Sequence, residues 1–114
     1  ISFLYDSNAL WNNYIPKNFK IILINNSGGG IFRILPGHQE NETFNTFFET
    51  SHSLTAEHLA KMYQFKYVSA NDGEELQLVW NLFISDETTP AILEIFTPEK
   101  LNNSILLDYF KELV

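Results

Sequence analysis

The residues whose types and spacing could do chemistry gather in one stretch, Asn25-Asn26-Ser27-Gly28-Gly29-Gly30. It holds two carboxamides, a hydroxyl and three glycines, and no charged side chain. A carboxamide oxygen is a neutral donor that suits a hard cation. Glycine admits positive φ and lets a ligand approach the main chain closely. A phosphate or divalent-metal site is the chemistry such a stretch would serve. An ordinary polar loop is also open on these residues alone, because glycine-rich loops are common.

The element that must position this stretch lies immediately before it. Ile21-Ile22-Leu23-Ile24 is an uninterrupted apolar run. It predicts a strand over 19–24 buried on both faces, as in a parallel sheet. Open parallel sheets place ligands beyond the carboxyl ends of their strands. The pairs Phe3/Leu4, Leu10/Trp11 and Tyr14/Ile15 recur at helical spacing, which predicts a helix over 3–15 closed by Pro16. Residues 25–53 show no period, apart from a helical turn expected near 43–48 among Phe44, Phe47 and Phe48. So long an irregular segment in a compact domain is usually functional, and its aromatic content argues against disorder.

Beyond it the pattern is regular. A helix is expected from about Thr55 to Gln64, with Leu59, Met62 and Tyr63 inward, then a short strand from Lys66 to Ala70. Asn71-Asp72-Gly73 caps a helix reaching about Ile84, with Leu76, Val79, Trp80 and Phe83 as its apolar face. Pro90 precedes a strand from Ala91 to Phe96. A last helix is expected over 103–113, with Ile105, Leu106, Tyr109, Phe110 and Leu113 as its stripe. Alternating helices and strands define an α/β domain with a parallel sheet and right-handed crossovers.

Composition narrows the function classes. The 114 residues are 45% hydrophobic and 15% aromatic, which supports a real core. The absence of cysteine excludes disulfides, thiolate zinc sites and a cysteine nucleophile. Seven scattered cations and a net charge of -7 speak against a nucleic-acid binder. A phosphate group held here would need a metal ion and backbone N–H groups more than lysines. No apolar run approaches the roughly 20 residues of a membrane span, and no leader resembles a signal peptide. The absence of an initial methionine suggests part of a longer protein.

Other motifs are weak. His38, His52 and His58 share no metal-ligand spacing. The GxSxG elbow, the GxxxxGK[ST] loop and the GxGxxG spacing are all absent. Glu74/Glu75 and Asp86/Glu87 sit at expected helix ends, where a structural role outweighs catalysis.

Taken together, these residues resemble the diphosphate-binding domain of thiamine-diphosphate-dependent enzymes. The cofactor motif of that superfamily opens with Gly-Asp and closes with Asn-Asn at the end of the next strand. Here Ile1-Ser-Phe-Leu-Tyr-Asp6 is similar to the residues just after the Gly-Asp, and Asn25-Asn26 supplies the far end. Ser2-Phe-Leu-Tyr-Asp-Ser-Asn-Ala-Leu10 and Asn25-Asn-Ser-Gly-Gly-Gly-Ile-Phe-Arg-Ile-Leu-Pro36 more narrowly resemble the 2-succinyl-5-enolpyruvyl-6-hydroxy-3-cyclohexene-1-carboxylate synthase family of menaquinone synthesis. A histidine-bearing segment before Leu59-Ala60 adds to the likeness.

The resemblance implies residues 1–114 as the C-terminal part of a thiamine-diphosphate- and Mg²⁺-binding domain, with the earlier strands and Gly-Asp outside the chain. It implies Asn26 as a side-chain ligand and Gly28 as a carbonyl ligand to Mg²⁺. Ser2 and the first-turn amides of its helix would meet the diphosphate, and Ile31, Phe32 and Leu35 would line the chamber near the thiazolium. The implied enzyme decarboxylates 2-oxoglutarate and adds the resulting succinyl carbanion equivalent to isochorismate. It would be a cytoplasmic homodimer or homotetramer whose catalytic glutamate lies in another domain, so that this chain alone would be inactive. Arg33 departs from the serine expected in many relatives; an ion pair and a contact to a substrate carboxylate are both open. The alternatives are another thiamine-diphosphate 2-oxo-acid decarboxylase or acetolactate-type synthase, or a non-catalytic interface domain of the same fold.

Overall fold

A computed structural model of the protein describes residues 1–37 and 39–113. His38 therefore lies outside the described residues. The order of elements is α1 (Ser2–Asp6), β1 (Lys20–Asn25), α2 (Glu57–Met62), β2 (Lys66–Ala70), α3 (Gly73–Ser85), β3 (Ala91–Phe96) and α4 (Leu101–Glu112). A 3₁₀ turn over Gly30–Ile34 and a π-helical turn over Phe44–Phe48 lie between β1 and α2. The chain divides into two compact units, Ile1–Asn25 with Thr55–Phe96, and Asn26–Leu54 with the chain from Thr97 on.

The first unit is an α/β layer structure. Its three strands are parallel in the order β1-β3-β2, with Lys20 and Lys66 both in register with Ala91. β3 is the central strand, and Ala91, Ile92, Leu93 and Glu94 are all buried. One face of the sheet packs Ile92 with Ala56, Ala60 and Phe65, joined by Phe3, Leu10, Ile15, Ile21 and Leu23. The other packs Leu93 and Ala91 with Phe83, joined by Val68, Leu76 and Val79. Fully burying a side chain such as Ile92 or Leu93 stabilises by about 1.5–3 kcal/mol relative to leaving it exposed.

This corrects the expectation for β1. Within the described sheet it is an edge strand, with Ile21 and Leu23 half-buried on one face and Ile22 and Ile24 exposed on the other. The strand buried on both faces is β3, whose apolar run is interrupted by an acid.

The helices also differ in detail. The expected helix over 3–15 is only α1 followed by a 3₁₀ turn over Ser7–Leu10; Trp11 and Tyr14 are exposed. Asn12 and Asn13 have poor helix propensity, and Asn12 takes local bonds instead, donating to the Ala9 carbonyl and accepting from the Tyr14 N–H. Met62, expected inward, is exposed, and small Ala56 and Ala60 make the close contact of α2. Trp80 on α3 is likewise partly exposed. α3 starts as its sequence requires, with Asp72 accepting from the Glu75 N–H at 2.9 Å. Glu75 reaches back to the Asn71 N–H at 2.8 Å, close to a capping box. α4 carries its expected stripe, but Ile105, Leu106, Tyr109, Phe110 and Leu113 are all exposed in the described structure.

Candidate functional site

The polar tip of β1 is built by alternate tying of neighbouring residues. Asn25 ends the strand, and its carboxamide donates to Glu94 at 2.8 Å. Ser27 takes a left-handed φ of 61°, which turns the chain sharply off the strand. Its carbonyl accepts from the His52 N–H at 2.8 Å. The Gly29 N–H donates to the Glu49 carbonyl at 2.6 Å. Between these fastened positions stand Asn26 and buried Gly28. Among the described residues, neither the Asn26 carboxamide nor the Gly28 carbonyl takes a hydrogen bond. These are the two oxygens that the family resemblance marks as metal ligands.

The glycines fit tightly for a structural reason. A Cβ on Gly28 would stand 3.2 Å from the Glu49 carbonyl oxygen and 3.3 Å from Glu49 Cγ. A Cβ on Gly30 would stand 2.9 Å from Asn103 Oδ1 and 3.2 Å from Asn26 Nδ2. Gly30 thus lets two carboxamides, one from the turn and one from α4, approach the same Cα.

The structure closes the alternatives left open for Arg33. Its guanidinium is buried and pairs through Nε and Nη2 with both carboxylate oxygens of buried Glu49. Nη2 also donates to Asn45 Oδ1 at 3.2 Å, and Nη1 lies 3.4 Å from Glu40. The cation stands 5.4 Å from the centroid of the Phe44 ring. Hydrogen bonding to Glu49 holds Arg33 even further above its already high range. Glu40, exposed at the surface, is held below the usual carboxylate range by its hydrogen bond from Lys100. Arg33 is therefore a structural cation that fastens the turn to the 44–52 segment.

Beyond Arg33 the second unit opens an apolar cavity of about 250 Å³, lined by Phe32, Leu35, Pro36, Gly37, Phe44 and Phe48. Phe32 meets Phe48 edge to face at 5.5 Å, and Phe44 stacks on Phe48 at 6.1 Å. Phe32 and Leu35 thus line one cavity. Ile31 is exposed and does not line this cavity. Ser2 belongs to the other unit, where it is the exposed first residue of the five-residue α1. So short a helix has little macrodipole, and any phosphate contact there would rest on Ser2 and its nearest N–H groups.

The donor set fits a hard divalent cation of the Mg²⁺ kind. Among the described residues no three His, Asp or Glu side chains converge as a metal cluster. The tip instead offers neutral amide oxygens, which suit a cation whose charge is balanced by a bound phosphate. One buried polar atom is also left over in the 44–52 segment. His52 Nδ1 accepts from the Leu54 N–H at 3.2 Å, and among the described residues its buried Nε2 has no hydrogen-bond partner. Glu49, Asn103 and Glu94 do not stand out in the sequence, since none falls in a motif or period. Only the lone acid inside the β3 run is a signal that points to one of them.

No protein-family model matches the chain. Known proteins do. Over 113 residues, 99% of the chain, it is 68% identical to the 2-succinyl-5-enolpyruvyl-6-hydroxy-3-cyclohexene-1-carboxylate synthase of Flavobacterium johnsoniae. It is 66% identical to the synthase of Flavobacterium psychrophilum over the same length, and 38% identical to that of Bacteroides fragilis over 115 aligned residues. The chain belongs to this synthase family. It spans about one fifth of the length of these relatives. The family likeness that rested on the Asn-Asn tip and the Gly30-Ile31-Phe32 turn extends over nearly every residue of the chain.

Proposed function

We propose that this chain is the diphosphate- and Mg²⁺-binding portion of a thiamine-diphosphate-dependent synthase. The whole enzyme would decarboxylate 2-oxoglutarate and add the succinyl unit to isochorismate, a step of menaquinone biosynthesis. The observation that carries the reading is the strand tip: two amide oxygens, on Asn26 and Gly28, without a hydrogen bond among the described residues and flanked by residues that are fastened, in a chain so similar to named synthases.

In this reading Asn26 Oδ1 and the Gly28 carbonyl hold the Mg²⁺, and the metal offsets the charge of the diphosphate. The Ser2 hydroxyl and the first amides of α1 hold phosphate oxygens. Phe32 and Leu35 give the reaction chamber an apolar wall, with Ile31 presenting a further apolar side chain. When bound, thiamine diphosphate supplies the electron sink for decarboxylation and carbon–carbon bond formation; the protein supplies orientation and electrostatics. No residue of this chain acts as the acid or base, so the chain alone would be inactive. The enzyme would work in the cytoplasm as a homodimer or homotetramer. No helix among the described residues is long and apolar enough to cross a membrane.

The test is an assay of the full-length protein with thiamine diphosphate and Mg²⁺. Consumption of 2-oxoglutarate coupled to loss of isochorismate is expected. Turnover of pyruvate to acetolactate, or no cofactor binding, would overturn the proposal.

Gly30→Ala gives a narrower check. The new methyl group collides with the ends of two side chains, Asn103 and Asn26, which can rotate away. The backbone is unstrained, so stability should change by less than about 1 kcal/mol. Asn26 is displaced from its position, however, and the Mg²⁺ concentration for half-maximal activity should rise about tenfold, the scale of a disturbed ligand orientation.

A further inference from the structure

Glu94 lies in the middle of the central strand and is 1% exposed. In register it stands between Leu23 of β1 and Ser69 of β2. Among the described residues no cation pairs with it. Its Oε1 accepts from Asn25 Nδ2 at 2.8 Å, and its Oε2 accepts from the Ala56 N–H at 2.9 Å and the Tyr67 hydroxyl at 2.6 Å. Burial first, and the adjoining carboxylate second, raise the Tyr67 phenol above its ordinary range, which keeps its hydroxyl a donor.

A buried carboxylate without a cation is a costly way to fill a core. A leucine or methionine of similar volume would avoid that cost but leave the Ala56 N–H and the Tyr67 hydroxyl without an acceptor. Beside accepting from the buried Ala56 N–H and the Tyr67 hydroxyl, the acid grips a carboxamide at the tip of β1. Asn25 is the only side chain among its partners at a strand end, and it directly precedes Asn26 in the chain.

We infer that Glu94 is a positioning residue for the metal site. It fixes the Asn25 carboxamide and with it the last peptide of β1, so that Asn26 leaves the strand in the direction its ligand role requires. The inference rests on the cofactor reading above and adds to it a residue outside the motif.

The test uses the full-length enzyme, with calorimetry of thiamine diphosphate binding at varied Mg²⁺ and, separately, thermal unfolding. In Glu94→Gln the oxygen facing Ala56 N–H and Tyr67 must stay an oxygen, so the new amide meets the Asn25 amide, donor against donor, and Asn25 must either turn its carboxamide over or lose the bond, each of which disturbs the strand tip. The Mg²⁺ midpoint for cofactor binding should rise about 10- to 100-fold, as for other changes behind a metal ligand. Asn25→Asp in that background supplies an acceptor to the new amide and should restore the midpoint to within about threefold, a small remainder of that loss. Asn25→Asp alone sets two carboxylates against each other and should bind more weakly than wild type, which separates rescue from added charge. Phe83→Leu, a buried change on the other face of the sheet, should lower the melting temperature and leave the midpoint unmoved.

A Glu94→Gln enzyme with a lower melting temperature and an unmoved midpoint would overturn the inference, as would failure of Asn25→Asp to rescue. Should Glu94→Gln not fold, Asn25→Ala decides the same point, because its midpoint must rise as well. Loss of binding in Asn26→Ala with normal binding in Asn25→Ala overturns the inference alone. Normal binding in Asn26→Ala overturns the cofactor reading beneath it.

Discussion

Glu49→Ala is expected to destabilise the protein by about 3–5 kcal/mol, the cost of leaving one member of a buried ion pair without its partner. Arg33 cannot escape by losing its proton, since guanidinium remains charged in proteins. Asn45 at 3.2 Å and Glu40 at 3.4 Å satisfy part of the guanidinium, but Nε and one arm of Nη2 face only Glu49. The loss should appear in denaturant unfolding of the full-length protein as a lower midpoint. Arg33→Met combined with Glu49→Leu should recover more than half of it, because apolar replacements of a buried pair are often neutral or better. The backbone bond from Gly29 N–H to the Glu49 carbonyl does not depend on the side chain and survives in both variants. Arg33→Lys should fall with the single variants, since an ammonium cannot make the two-pronged contact. A double variant no more stable than Glu49→Ala would mean that the pair itself, and not the stranded charge, carries the stability.

The elements that were legible in the sequence are those whose pattern is set by short-range physics. β2 and β3 lie at their expected residues, and α3 begins at its Asp72 cap. β1 was legible as a strand, but not as an edge, because Ile22 and Ile24 read identically whether a neighbour covers them or not. The same holds for the α4 stripe. From its residues alone the strand tip was open to two readings, a site and an ordinary glycine-rich loop, and the resemblance to a cofactor motif singled it out as the candidate. Its supports were not legible. Arg33 and Glu49 stand 16 residues apart in a segment with no period, and only the folded turn brings them together. Glu94 was visible as a lone acid within an apolar run, but the run did not say what it binds. Such supports are long-range hydrogen bonds, and hydrophobic periodicity does not report them.

Asn26→Ala should show the opposite signature to Glu49→Ala. Its carboxamide takes no hydrogen bond among the described residues, so truncating it breaks nothing that holds the fold. Stability should stay within about 0.5 kcal/mol of wild type, as for surface changes away from special features. If Asn26 is a direct Mg²⁺ ligand, the effect falls on the cofactor. Mg²⁺ takes about six oxygens near 2.1 Å and draws only one or two of its ligands from side chains. Losing one should cost more than the roughly 10- to 100-fold seen when only a residue supporting a ligand is removed. The Mg²⁺-dependent affinity for thiamine diphosphate should therefore fall by at least about 100-fold, measured by calorimetry on the full-length enzyme. Asn26→Asp keeps an oxygen at the same place and should lose far less. The two patterns separate the roles of neighbours in one turn. Glu49 holds the turn, so its loss is read first in unfolding. Asn26 is held by nothing in the described structure, so its loss is read in binding alone. An Asn26→Ala enzyme that is unstable but binds cofactor normally would reverse the assignment, making this carboxamide part of the scaffold.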